Sequence, residues 1–437
     1  MDMDNWFEEL YIKRKKFVES ARENNFDKGI RNSTVEKYPD PVHFVYELLQ
    51  NAEDQGATEA HFELFTDHLV FHHNGNAFTR SDVENITGIG NSDKPREANK
   101  IGRFGIGFKS VFAITDRPQI YTVLEEEPFA FAIEDLVVPV AIPGNREQSH
   151  QYNTQFTFPF IRGQVGSLYI KIQERLTTLG FETMLFLQNL ASISWQTETD
   201  HGVYLCAVNG SRRELCGESS ENGQLRQRSA NYLVFTRNAN LGNIDRKLDV
   251  RVAFRLNEKG KIIAEPDQKL IVYFPTEQVT GLNFRLHGPF LLTDNRANIK
   301  IDNDMNNELM QECAILLGDS LQHIKKEGLL TVDLLSLLPI RKEQVPSLFL
   351  PLYNQVLQVL KRHPLLPTAD GTFANAAQVK LARGTELREL INEEQLSTLY
   401  GISSPLHWLS SEITLNNTPD LYRYLKIRKI ISGETNG

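Results

Sequence analysis

The chain has 437 residues, 41% apolar and 24% charged, and carries a net charge of −9. That length predicts two or three domains, and that balance is the one of a soluble globular protein. It speaks against nucleic acid as a partner, which needs clustered Lys and Arg, and no apolar run approaches the ~20 residues of a membrane span. The start, Met1-Asp2-Met3-Asp4-Asn5, lacks the basic–apolar–small pattern of a secretion signal. Cys206, Cys216 and Cys313 show no C-x-x-C spacing. They read as reduced thiols of a cytoplasmic protein, not as a zinc or disulfide framework.

Residues 1–35 predict a charged helical lead, with Lys13, Arg14, Lys15 and Lys16 on a solvated face. The next helix is sharply marked. Asp40 is a good N-cap, Pro41 suits a first helical position and Gly56 suits a stop. Between them Phe44, Val45, Leu48, Leu49 and Ala52 form one apolar face. Glu47, Asn51 and Asp54 follow at spacings of four and three, on one polar stripe of the same helix. A carboxylate and an amide one turn apart can divide a task. The amide oxygen can ligate Mg²⁺, and the carboxylate can deprotonate an attacking water.

Segments 58–65 and 68–71 alternate as a hairpin, with Ala60, Phe62 and Leu64 facing one way. Further on, Gly102, Gly105 and Gly107 recur within Gly102-Arg103-Phe104-Gly105-Ile106-Gly107-Phe108-Lys109, just before an apolar, helix-like run. Glycine lets backbone N–H groups approach a ligand closely, and a helix start adds free donors and a positive dipole end. That combination is a phosphate cradle. Strands follow at 119–123, 129–133 and 154–160.

Glu47-x-x-x-Asn51 followed by Gly102-x-x-Gly105-x-Gly107-Phe108 resembles the nucleotide site of the GHKL superfamily: gyrase B, the ninety-kilodalton heat-shock chaperones, histidine kinases and MutL. The Tyr-Pro-Asp-Pro lead-in at Tyr38, the Glu-Leu-Leu-Gln-Asn-Ala-Glu-Asp run from Glu47 and Gly107-Phe108-Lys109-Ser110-Val111-Phe112 are similar to the chaperone branch and its sacsin-like and NO VEIN-like relatives. The resemblance implies ATP and Mg²⁺ as cofactors. Glu47 is then the catalytic base, Asn51 the metal ligand, Asp54 a further cofactor contact, and the loop from Gly102 through Lys109 the triphosphate cradle. The family places an Asp where His73 stands here, before Asn74 and Gly75, to accept a hydrogen bond from the adenine amino group. His73 or Asn74 could take that part, or His72 and His73 could be a polar strand end. Ser92-Asp93-Lys94 is similar to the sacsin-like lid, whose lysine reaches a phosphate; an exposed lysine fits equally. Thr154, after Asn153, is similar to the strand that closes the pocket beside the base; a plain sheet strand fits equally.

Beyond the nucleotide domain at 36–164, a middle domain is expected over 165–328. It has a helix near 168–179, strands at 184–187, 232–236, 252–256 and 270–274, a mobile loop over 208–230, and a closing helix over 307–326. In the heat-shock chaperones a middle-domain arginine reaches the γ-phosphate. Arg296 matches it loosely, and would stabilise charge on the transferred phosphoryl group; pairing with Asp294 or Asp302 fits as well. Residues 329–437 read as mostly helical, with a helix over 351–362, an Asp370-Gly371 turn and a disordered end from Ser432. The fold class is α+β: an α/β-sandwich nucleotide domain, an α/β middle domain and a mostly helical C-terminal region. The function implied is a Mg²⁺-dependent ATPase with chaperone-like action, in which lid closure and ATP-dependent homodimerisation switch a protein client or partner module. Bacterial relatives suggest anti-phage defence as a setting. The alternative is a nucleotide-gated interaction module with negligible turnover.

Overall fold

A computed structural model describes residues 2–35, 42–89, 107–144, 152–221, 223–239, 248–293, 298–382, 385–401 and 404–427. The chain divides into two compact units, one made almost wholly of residues up to Ala230 and one of those from Asn231 onward. The first unit therefore takes in the lead, the stretch expected as a nucleotide domain and the beginning of the stretch expected as a middle domain.

The first unit starts with α1 (Met3–Glu23), α2 (Asp27–Thr34) and α3 (Phe44–Asp54). Then come β1 (Glu59–Leu64), β2 (His68–His73), α4 (Arg80–Ile86), β3 (Gln119–Leu124), β4 (Glu127–Glu134), β5 (Val138–Ala141), β6 (Thr154–Pro159) and α5 (Val165–Thr178). It closes with β7 (Ser192–Gln196), β8 (His201–Asn209) and β9 (Arg212–Glu221). Its strands run in the order β9-β8-β7-β1-β2-β6-β3-β4-β5. Neighbours are antiparallel throughout except β1 and β7, which are parallel.

The alternation read from 58–65 is the one observed. Ala60, Phe62 and Leu64 are buried, and Phe62 packs tilted against Phe71 of β2 at a ring distance of 4.5 Å. On that inner face lies α3. Its Phe44, Val45, Leu48 and Leu49 are fully buried, each contributing ~1.5–3 kcal/mol of transfer free energy. Gly56, at φ 69°, ends the helix in the left-handed region as expected. The start differs: α3 begins at Phe44, and Asp40 and Pro41 lie outside the described residues. The lead is part of the unit as well. Phe7 of α1 packs edge-on against Phe129, Trp6 donates its indole N–H to Glu84 at 3.0 Å, and Arg14 donates to the Glu84 carbonyl at 2.8 Å.

Three local expectations are corrected. Residues 184–187 are not a strand but lie largely in a 3₁₀ segment, Phe181–Phe186, with Phe181, Met184 and Leu185 buried. A short apolar run carries too little periodicity to separate the two. Residues 208–230 are not a loop but the end of β8, then β9, then the start of a strand over Gln224–Ala239. Gly210 and Gly223 follow asparagines and sit at φ 59° and 75°, the Asn-Gly hairpin signal. The polar composition between them belongs to an exposed ribbon. The run after the glycine loop is 3₁₀, Phe108–Ala113, not α-helix.

The second unit holds β10 (Gln224–Ala239, from Asn231 onward), β11 (Leu248–Leu256), β12 (Ile262–Ile263), β13 (Lys269–Val272), β14 (Phe274–Val279) and β15 (Arg285–His287), ordered β14-β13-β15-β11-β10 with β12 on β11. Then come α6 (Asp304–Lys326), α7 (Val332–Leu337) and α8 (Leu350–Arg362). The remainder is β16 (Leu366–Pro367), β17 (Phe373–Ala374), β18 (Val379–Lys380), α9 (Thr385–Leu390), α10 (Glu393–Leu399), β19 (His407–Trp408) and α11 (Pro419–Ile427). One core joins Leu233, Val252, Phe254 and Phe284 of the strands and loops to Leu317 of α6 and Val356 of α8. The whole is mixed α/β with mostly antiparallel sheet, compatible with α+β. Among the described residues no helix is long and apolar enough to cross a membrane.

Candidate functional site

The site is built along α3. Its first anchor is Glu47, whose side chain is only 4% exposed. Glu47 Oε1 lies 3.5 Å from Nε2 of His43, one turn earlier. The other carboxylate oxygen lies against Gly107. A Cβ built on Gly107 would sit 3.0 Å from Glu47 Cδ and closer still to Oε2, so only glycine fits while the carboxylate keeps its place. Two motifs far apart in the chain thus meet at one point.

One turn on from Glu47, Asn51 is half-buried, and among the described residues its side-chain amide has no hydrogen-bond partner. An amide oxygen is a ligand that Mg²⁺ accepts. Asp54 is half-buried at the last position of α3. The C-terminal end of α3 meets the turn after β2. Asn76 donates its backbone N–H to the Gln55 carbonyl at 2.8 Å, and a Cβ on Gly75 would lie 2.9 Å from that same oxygen. The distance along α3 from Glu47 to Gln55 is about 12 Å at the helical rise. One helix therefore spans from the glycine-loop contact to the β2 turn.

At that turn His73 is paired with Thr154 across β2 and β6. Both are buried, and Thr154 Oγ1 stands 3.3 Å from Thr122 Oγ1. Burial holds the His73 imidazole at about 4, below its ordinary 6.5, so the ring is neutral at pH 7. Its Nδ1 accepts the Gly75 backbone N–H at 3.2 Å. The proton of the neutral ring is therefore on Nε2. Where the resemblance expects a carboxylate acceptor, this chain offers a donor. Asn153, in the place of the usual glycine, donates to the Gly75 carbonyl at 2.9 Å and ties β6 to the same turn.

Two expected contacts are otherwise engaged. The Asn74 side-chain oxygen accepts the backbone N–H groups of Thr58 and Glu59, both at 2.9 Å, and its amide donates to Thr58 Oγ1 at 2.8 Å. It braces the entry to β1 and is not placed to read a base. Lys109 is fully buried and donates to the carbonyls of Ile86 at 2.6 Å and Leu136 at 2.5 Å. Its ammonium points into the core, not to a phosphate. Burial, aided by the positive charge of Arg14, brings it down to about 7. Phe108 is buried against Phe156 at 5.7 Å, which leaves its backbone as the contact it can offer. Gly102, Arg103, Phe104, Gly105 and Ile106, Lys94 and Arg296 lie outside the described residues.

Two groups carry no sequence signal. Glu53, 4% exposed, accepts the backbone N–H groups of Gln188 at 2.5 Å and of Asn189 and Leu190 at 2.9 Å. It bolts α3 to the segment before β7. On the outer face of β1 and β2, Glu63 Oε1 lies 3.4 Å from His61 Nε2 and 3.3 Å from His72 Nε2. Those two contacts hold its carboxyl well below the usual carboxylate range. His61 Nδ1 is 2.7 Å from Ser194 Oγ, beside a cleft of ≈ 350 Å³.

Residues 25–131, which include α3, the β1–β2 hairpin and Gly107, match the family model described as Sacsin domain. The NO VEIN protein of Arabidopsis thaliana is 25% identical over 316 residues, 66% of this chain and 11% of that protein. Sacsin of Homo sapiens is 36% identical over 123 residues, 24% of this chain and 3% of that protein. The matched stretches are thus a small part of either relative.

Proposed function

We propose that the first unit binds a Mg²⁺-nucleoside triphosphate and hydrolyses it, as a GHKL-type ATPase. The observation that carries this is the packing of the Glu47 carboxylate on Gly107. It joins a buried general-base candidate to the backbone of the glycine loop. Glu47, held beside His43, takes the proton of the attacking water. Asn51 would hold Mg²⁺ through its amide oxygen, and the metal would supply charge neutralisation at the phosphates. The Gly107 and Phe108 backbone would hold the β- and γ-phosphates. Thr154 and His73 line the base end, where His73 donates. Nucleotide state then switches a protein client or partner module, with pairing of two copies as part of the cycle.

The test is Mg²⁺-dependent phosphate release by the full chain beside Glu47→Ala, with nucleotide binding measured for both. Turnover in wild type alone, with binding kept in the variant, is the expected result. Equal turnover in both overturns the role of Glu47. Binding with a change of oligomeric state but no turnover in wild type supports the gated-module reading, which the donor at His73 favours in so far as it departs from the ATPase pattern.

A further inference from the structure

In the second unit, Asp370, Glu393 and His407 come from three separate places: the turn between β16 and β17, the first residue of α10, and β19. One ligating atom of each lies within 4.8 Å of the other two. The backbone under all three is fixed. Gly371, at φ 85°, makes the turn that presents Asp370. The Ala369 N–H donates to the Trp408 carbonyl at 2.7 Å, which sets the turn beside β19. A capping box between Asn392 and Gln395 holds the start of α10.

The side chains are also aimed. Asp370 Oδ1 accepts the Thr368 hydroxyl at 2.5 Å and the Thr372 hydroxyl at 3.0 Å, while Oδ2 faces His407 Nδ1 at 3.9 Å. Glu393 Oε1 is 2.9 Å from the same Nδ1. One ring nitrogen thus faces two carboxylates, and a single proton on it can bond only one of them. An ion at the centre satisfies all three. Ligands about 2.0–2.1 Å from a tetrahedral zinc lie roughly 3.3 Å apart, and the two observed spacings fall on either side of that value.

We propose that Asp370 Oδ2, Glu393 Oε1 and His407 Nδ1 bind one divalent transition-metal ion of the zinc class, with solvent completing the shell. An imidazole beside two carboxylates selects this class over Mg²⁺ or Ca²⁺, which take oxygen. The Thr368 and Thr372 hydroxyls orient the Asp370 carboxylate, as outer-shell partners of a metal ligand do. The ion would clip α10 and β19 to the β16–β17 turn.

The test uses the full chain, stripped with chelator and titrated with Zn²⁺ by calorimetry and with Co²⁺ by absorption. One equivalent is expected to bind. The Co²⁺ spectrum should lack a thiolate charge-transfer band, which separates this site from the free Cys206 and Cys216. His407→Ala and Asp370→Asn should each weaken binding by about tenfold or more, with circular dichroism unchanged. A Cys206→Ser, Cys216→Ser double variant should bind as wild type does. No stoichiometric binding, a thiolate band, or affinity unmoved in both site variants would overturn the proposal and leave the cluster as a hydrogen-bonded ion pair.

Discussion

The meeting of Glu47 and Gly107 can be tested without nucleotide. Gly107 has φ −63° and ψ −47°, ordinary right-handed values. On backbone grounds alone, alanine there should be better than glycine by up to ~1 kcal/mol, because less chain entropy is lost. The structure predicts the opposite sign. The new Cβ would fall 3.0 Å from Glu47 Cδ and nearer still to Oε2. The carboxylate is 4% exposed, and to make room it must turn away from Gly107. Overpacking of this kind costs about 1–3 kcal/mol. The decisive assay is a double-mutant cycle by urea unfolding. Gly107→Ala in wild type should lose about 1–2 kcal/mol once the backbone gain is subtracted. In a Glu47→Ala background, which removes the three atoms nearest the new methyl, it should be neutral or stabilising. The coupling should be on the order of 1–3 kcal/mol. Additive effects within 0.5 kcal/mol, roughly the error of such cycles, would refute the contact and with it the geometry on which the proposed function rests.

Other outcomes follow from single side chains. Glu53→Ala strands the N–H groups that it now accepts from Gln188, Asn189 and Leu190. It should cost roughly 3 kcal/mol or more, and Glu53→Gln about half, by thermal or urea unfolding. For His73 the folded value near 4 lies below the ordinary 6.5. The unfolded chain binds a proton that the native ring refuses between them. Stability is therefore whole above pH 6.5 and falls towards pH 4, by on the order of 3 kcal/mol; His73→Gln should flatten that slope in urea titrations. Lys109 gives the alkaline counterpart. Between about 7 and 10.5 the native lysine has shed a proton that the unfolded chain keeps, so stability rises with pH there, and Lys109→Met should remove the rise. On the proposed function, His73→Asp should shift nucleotide competition towards adenine and away from a base with a carbonyl at that position by about tenfold, one mispaired hydrogen bond's worth. An unmoved ratio in competition binding of ATP and GTP would place the base elsewhere.

The legible part of this chain is the part governed by period and by glycine. The apolar face of α3, the inward alternation of β1 and the left-handed Gly56 all stand as read from spacing. The alternation of 154–160 is legible too, but the pairing of Thr154 with His73 is not, since spacing names no partner for a strand. What spacing cannot carry is where a polar side chain turns. Lys109, within a loop wording that suggests phosphate, is buried between two carbonyls, and Glu53, one of five acidic or amide residues on α3, is the one that closes a distant contact. Asn74 looks free in a sequence and is committed to β1 in space. The ribbon around Gly210 and Gly223 had its signal in two Asn-Gly pairs, hidden under a composition that suits loops and exposed strands alike.

The parallel pairing of β1 with β7 has a bearing on how the polypeptide comes off the ribosome. Glu59 pairs with Ser192 and Glu63 with Gln196, and Glu53 waits for the amides of 188–190. Everything the candidate site uses on α3, β1 and β2 has emerged long before those partners do. During that interval one edge of β1 is bare, a template for pairing with the wrong chain. Such long-range closure is slow, and slowness lengthens the exposure. Release of the nascent chain before residue 196 should therefore leave material that aggregates, and arrest just beyond it, material that resists protease. A fragment cut to the matched 25–131 would carry the motifs and lack the strand that makes them safe to expose.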